Sequence, residues 1–177
     1  MAALRADAAR SRARILEAAR GVPPGTIRLN DLARDTGLGV GTVYRHFPTV
    51  ASLLEALHLD ALEELAETAR RVAESPSPGA SFLDLVRHDA ELLLTRDGLR
   101  ELLIAADVSD EVRALREQFL RSAGVALEAA VREHRVRAEI SVEQIQRLVC
   151  GVEYAVRLGD GRDRVLLLDV MISGLRA

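Results

Sequence analysis

The sequence predicts an all-α protein: three short N-terminal helices, one long connecting helix and a helical body. Three observations carry this. Apolar residues recur every three or four positions and never alternate as in half-buried strands. The composition is rich in Ala, Leu, Arg and Glu, with only 3% aromatics and no tryptophan. Proline and glycine clusters punctuate the chain at intervals suited to helices. At 177 residues, with 49% hydrophobic and 29% charged residues, the chain is long enough to bury a core under a solvated exterior, which excludes a disordered polymer.

Residues 8 to 20 place Ile15, Leu16 and Ala19 on one stripe, with Arg10, Arg12, Arg14 and Arg20 largely outside it, as in an amphipathic first helix. Gly21-Val22-Pro23-Pro24-Gly25 ends it. Leu29 to Thr36 reads as a two-turn helix with Leu29, Leu32 and Ala33 facing a core, and Gly37 stops it. Val40 to Phe47 reads as a third helix, with Val43 and Phe47 inward and Thr42, Tyr44, Arg45 and His46 left for other faces. Pro48 suits the first turn of the next helix and Thr49 suits its cap. That helix, 50 to 74, would be about 37 Å long at 1.5 Å per residue.

Pro76-Ser77-Pro78-Gly79 is the clearest break. Helical patterns follow at about 80 to 95, 99 to 105, 110 to 134, 141 to 157 and 163 to 175. The last carries Val165, Leu166, Leu167, Leu168, Val170, Met171, Ile172 and Leu175 around its whole circumference, so it needs partners on more than one side. A buried strand would also explain that run, but nothing else in the sequence would pair with it.

Charge is uneven. The net charge is −3, yet residues 1 to 49 hold eight arginines against Asp7, Glu17, Asp31 and Asp35, a local +4, and the remainder carries −7. A basic front on an acidic body suggests a polyanion-binding end. The lone Cys150 closes no internal disulfide, no charged-then-apolar leader opens the chain, and the longest apolar run falls far short of the roughly 18 residues of a membrane span. The expectation is a cytoplasmic protein with no membrane partner.

Two short helices around a three-residue turn with glycine, and small Ala33 where they pack, form a helix-turn-helix candidate. From Leu32 the chain reads Leu-Ala-Arg-Asp-Thr-Gly-Leu-Gly-Val-Gly-Thr-Val-Tyr-Arg-His-Phe-Pro48. This stretch resembles the TetR family of bacterial transcriptional regulators: the Leu-Ala of the second helix, the turn glycine, Gly-Thr-Val-Tyr and the terminal His-Phe stand in register. The wider similarity runs from about residue 8 to 62, roughly a third of the chain. It implies a helix-turn-helix DNA-binding domain over 1–48 and a helical effector-binding and dimerisation domain over 49–177, about nine helices together.

A recognition helix enters a major groove about 12 Å wide, so its leading residues should be small and its flanks should donate to phosphates. Gly39, Val40 and Gly41 are small. Thr42, Tyr44 and His46 are donors able to fix register on the backbone, as the matching family positions do. Arg45 is the candidate for bidentate contact with guanine, Asn30 for adenine, and Val40 for a thymine methyl; Arg28 joins them in the expected DNA-binding set. Tyr44 packed on the first helix, and His46 as a surface capping group, are the structural alternatives. Two positions depart from the family pattern: Val50 stands where a lysine is usual and Gly39 where a serine is usual. Either DNA affinity is weaker for it, or a flexible arginine-bearing segment, Arg5 to Arg14, supplies the missing phosphate charge and carries the salt dependence.

A helix-turn-helix monomer covers about half an operator, so double-stranded DNA binding calls for a homodimer. The family resemblance places that interface on the last two helices as a four-helix bundle, here Ile145, Leu148, Val149, Val152, Leu166, Leu168 and Val170; a monomeric core for both helices is the alternative. It also implies an unidentified small-molecule effector in a cavity of the body, with polar residues on apolar helices as lining: Arg87, His88, Glu91, Gln118 beside Phe119, and Tyr154. His88 as a satisfied surface histidine and Phe119 as core are the plain alternatives. The effector would release a repressor from a palindromic operator by favouring one body conformation; activation is the alternative, since the sign depends on operator position. No cofactor and no catalytic residue is expected. The competing class is a metal-sensing regulator or metal-binding helical-bundle enzyme, prompted by Glu55-x-x-His58 and by Asp84, His88 and Glu91 on one face. Such a site wants two Glu-x-x-His pairs, and there is one.

Overall fold

In the computed structural model, which describes the backbone of residues 2–177 and the side chains from residue 5 onward, the described chain is helical, with no β-strand of its own. The elements are α1 (Ala2–Arg20), α2 (Leu29–Thr36), α3 (Val40–His46), α4 (Val50–Ala73), α5 (Pro78–Thr95), α6 (Leu99–Ile104), α7 (Asp110–Arg132), α8 (Val142–Leu158) and α9 (Arg164–Leu175). A single 3-10 turn, Pro24–Thr26, lies in the break between α1 and α2. The predicted segments reappear within a residue or two, with one notable exception. Helix α1 starts at Ala2, so Arg5 to Arg14 is helical and not a flexible arm, as its alanines and arginines, both strong helix formers, favour.

The chain divides into two compact units. The first comprises residues 1–60 and 97–110, and the second 61–96 and 111–177. In the first, α1, α2 and α3 pack on one another around Ile15, Ala19, Ile27, Leu29, Leu32, Ala33, Val43 and Phe47, joined by Leu53 and Leu57 from the start of α4. In the second, α5 packs on α8 and α9, and α8 on α9.

Local signals fix the ends of several elements. Gly37 adopts φ 63°, a left-handed conformation that L side chains resist, and the following Leu38 N–H reaches back to the Ala33 carbonyl at 3.0 Å, closing α2 in a Schellman motif. Thr49 caps α4: its Oγ1 accepts from the Ser52 amide at 3.0 Å while Ser52 Oγ accepts from the Thr49 amide at 3.2 Å. Pro48 therefore lies outside α4, ahead of the cap, and not in its first turn. Ser141 and Gln144 form the equivalent reciprocal cap of α8.

Helices α5 and α7 approach closely at Gly79. A Cβ there would stand 2.8 Å from the Ala129 carbonyl carbon and the Ala130 nitrogen, both backbone atoms that cannot swing aside. Gly79→Ala should therefore destabilise by about 1–3 kcal/mol, the cost of overpacking a well-filled contact. Gly124→Ala, in the same α7 with nothing within 4 Å, should be neutral or mildly stabilising. Thermal melting of the two variants against the parent checks both; equal melting temperatures would contradict this packing.

Candidate nucleic-acid interface and effector cavity

Helix α3 is only seven residues long and has no side-chain cap at Gly39. It is held by what it buries. Val43 is fully buried and Phe47, four residues on, nearly so, while Thr42 and Val43 amides close the first turn on the Gly39 carbonyl at 2.8 and 3.2 Å. With that face committed inward, the opposite face is open: Val40 is 50% and Tyr44 43% exposed, Gly39, Gly41 and Arg45 are exposed, and Thr42 and His46 half-exposed. Arg28, the residue preceding α2, and Asn30 in its first turn are exposed too. All nine residues expected to contact DNA thus lie in one unit with their side chains, where they have one, at least partly free of the core. Tyr44 is outward, not packed away under α1.

The basic charge around this face is partly committed. Arg10 pairs with Asp7, Arg20 with Glu17 and Arg34 with Asp31, each one turn away on its own helix and exposed. Such exposed pairs contribute little to stability. Arg12 and Arg14 do structural work. The Arg12 guanidinium lies 5.4 Å from the centre of the Phe47 ring, a cation–π contact, and Arg14 donates to the Thr36 carbonyl at the end of α2. Among the described residues no ion pair holds Arg45.

In the second unit the residues expected to line a cavity are scattered. Arg87 forms an ion pair with Asp169 at 2.7 Å on the surface. His88 Nε2 stands 3.3 Å from Glu64 without hydrogen-bond alignment. Glu91 and Gln118 are half-buried, and Tyr154 is exposed. Phe119 lines a cavity that it shares with Phe82, Leu85, Val86, Ala123, Val142, Ile145 and two polar residues outside the sequence expectation, Asp89 and Gln146. The cavity is small, about 10 Å³, or room for roughly one water molecule. Asp89 is 3% exposed, and burial pushes its carboxyl up to about 7, partly countered by the hydrogen bond from the Gln146 side chain. A sequence signal did exist: Phe82, Leu85, Val86, Asp89, Leu92 and Leu93 share the inward register of α5, and an acid in that register is out of place.

The residues expected at an interface between copies divide. Ile145, Val149 and Leu168 are buried within the single chain, in which α8 packs on α5 and α9. Val152 is half-buried, whereas Leu148, Leu166 and Val170 are exposed, the last two by 62% and 61%. The metal alternative lacks a cluster: among the described residues no three His, Cys, Asp or Glu side chains converge, and the Glu55 carboxylate instead accepts the Ser109 amide at 2.8 Å. Among the same residues no helix is long and apolar enough to cross a membrane.

Comparison with known proteins agrees with this geometry. Residues 77–177 match the model of the C-terminal domain of SbtR-like transcriptional regulators, within the TetR group. The TetR transcription regulatory protein from Mycobacterium vanbaalenii is 31% identical over 98% of this chain and 99% of its own, with a TM-score of 0.51. NalD from Pseudomonas aeruginosa, the secondary repressor of the MexAB-OprM multidrug efflux pump, is 25% identical over 96% and 98%, with a TM-score of 0.61. FadR from Bacillus subtilis, solved with stearoyl-CoA, shares the fold at 14% identity over 92% and 98% of the two chains and a TM-score of 0.62. No curated protein sequence matches. An open face on α3 held by Val43 and Phe47, a family model spanning more than half the chain and a relative matched along its whole length lead to one conclusion: the chain belongs to the TetR family of DNA-binding transcriptional regulators.

Proposed function

We propose that the protein is a homodimeric repressor that reads an inverted-repeat operator and leaves it when a small molecule occupies the second unit. The observation that carries this reading is the division of α3, whose apolar pair is spent on the core while Gly39 to His46 otherwise stay accessible. Gly39, Val40 and Gly41 let the helix sit deep in a major groove; Thr42, Tyr44 and His46 hold phosphates; Arg45 reads guanine and Asn30 adenine; Arg28 adds a backbone contact. Residues 1–48 form the DNA-binding domain in this reading and 49–177 the effector and dimer domain. NalD is a repressor and FadR was solved with an acyl-CoA, which makes a small-molecule-released repressor the natural model here.

The dimer is proposed on the outer faces of α8 and α9. Leu148, Leu166 and Val170, with Val152 beside them, present an apolar surface that a single chain leaves in water. Burying it against a second copy gains roughly 25 cal/mol per Å² of apolar area and sets two recognition helices on one duplex. The effector must bind the released conformation more tightly than the DNA-bound one, since equal affinity shifts nothing.

Selection of bound DNA from a random library should recover an inverted repeat with half-sites about one helical turn, ~34 Å, apart. Arg45→Ala should then lose about 1–3 kcal/mol and relax preference at one guanine per half-site, whereas Tyr44→Phe should weaken all sequences alike. Recovery of no preferred sequence would end the regulator reading. Light scattering tests the dimer: Leu166→Glu with Val170→Glu should give folded monomers, while Val149→Glu, which charges the chain's own core, should unfold instead. A soluble dimer from the double variant would move the interface elsewhere.

A further inference from the structure

With Asp89 ionised, the cavity that it lines in the second unit offers hydrogen-bond acceptors and no spare donor. Gln146 spends its side-chain N–H groups on the Asp89 carboxyl and, at 3.9 Å, on Cys150 Sγ. What is left facing inward is Asp89 Oδ1 and Gln146 Oε1, both buried and both without a hydrogen-bond partner. Each such oxygen costs free energy until a donor reaches it, more so for a carboxylate. Every other lining residue is apolar: Phe82, Leu85 and Val86 from α5, Phe119 and Ala123 from α7, Val142 and Ile145 from α8. No second titratable group from these helices lines the space, so no cation of the protein itself neutralises Asp89 there.

We propose that this cavity is the head-group site for an aliphatic or arylalkyl primary amine, bound as its ammonium ion with Asp89 as counter-ion and Gln146 Oε1 as second acceptor. The inference rests on the effector reading above and names the chemical class of that effector. Size agrees with it. The free space of about 10 Å³ accepts one water-sized group, and an ammonium head is of that size. The tail would lie along Phe82, Val86, Phe119 and Ile145, prising apart α5, α7 and α8. A hard metal ion fits poorly, because it would want about six oxygens and two are offered. A carboxylate or phosphate ligand is repelled by ionised Asp89 and finds no donor there.

The test uses the full chain and three probes of equal tail: hexylamine, hexan-1-ol and hexanoate, by calorimetry and thermal shift at about pH 8, where the amine is charged and Asp89 is largely ionised. Hexylammonium should bind about tenfold tighter than either of the others and raise the melting temperature. Asp89→Asn, nearly isosteric, should keep the fold and erase that preference. Equal binding of alcohol and amine, tighter binding of hexanoate, binding of none, or a variant that still prefers the amine would each overturn the assignment. An operator-release assay separates the two levels. If hexylammonium binds through Asp89 but leaves DNA bound, the site stands and the release model fails; if hexanoate releases DNA, the release model stands and the amine assignment fails.

Asp89 also has a signature without ligand. Its carboxyl titrates near 3.8 in the unfolded chain and near 7 in the fold. Between those values the folded protein holds a proton the unfolded chain has lost, so stability should fall as pH rises from about 4 to about 7 and level off beyond. Urea melts of the parent should show this decline, and Asp89→Asn should remove it. Identical pH profiles would mean that Asp89 is not the isolated buried acid on which the site depends.

Discussion

A seven-residue helix cannot hold itself in water, where isolated helices shorter than about 12–15 residues are marginal. Everything that α3 does for DNA depends on how it is held, and the answer is Val43 and Phe47. Their spacing of four puts both on one stripe, and burying that stripe against α1 and α2 fixes the helix axis and its rotation together. Rotation matters most. A turn of one residue position, about 100°, would carry Tyr44 inward and Val43 out of the core. The Arg12 guanidinium on the Phe47 ring and the Arg14 bond to the Thr36 carbonyl brace the same joint from α1. Two arginines that sequence reading assigned to phosphate contact are thereby occupied in part with positioning the recognition helix.

The helices were legible because periodicity and punctuation agreed. Gly37 marked a left-handed stop and Thr49 a cap, and both perform those tasks. The sequence places the start of α1 too late because alanine supplies most of the apolar positions before residue 8 and marks no clear stripe, although those residue types favour helix. The orientation of α9 was beyond reach for a different reason. A helix apolar on every side has no polar face to point outward, so nothing in its sequence says that Leu168, Met171, Ile172 and Leu175 turn in while Val165, Leu166 and Val170 turn out. On α8, Ile145 and Val149 are buried within the single chain, where α8 packs on α5 and α9. Amphipathicity identifies a buried face without naming what buries it.

The cavity was the least legible feature. In Asp84-Leu-Val-Arg-His-Asp-Ala-Glu91 four other charged or titratable residues surround Asp89, and a reading by residue type picked Arg87, His88 and Glu91. Register decides otherwise. Those three lie partly exposed with surface partners or solvent, while Asp89 continues the Phe82–Leu85–Val86 stripe into the core.

An acid in that position works against the fold. Its surroundings would suit an aliphatic side chain of similar volume, and replacing an unpaired buried carboxylate by such a group commonly leaves a protein more stable. The Gln146 hydrogen bond lowers the penalty and does not abolish it, since the carboxyl still titrates near 7. A side chain that costs stability in the empty state and gains its missing partner from a cationic ligand converts that cost into binding free energy. It also couples occupancy to packing, because the three helices that line the cavity touch across a gap of one water and cannot admit a tail without separating. Displacement of tightly packed helices is discrete, as interiors at crystal-like density do not deform continuously. A small amine would therefore select between two packings of the second unit, which is the two-state element that release from DNA requires.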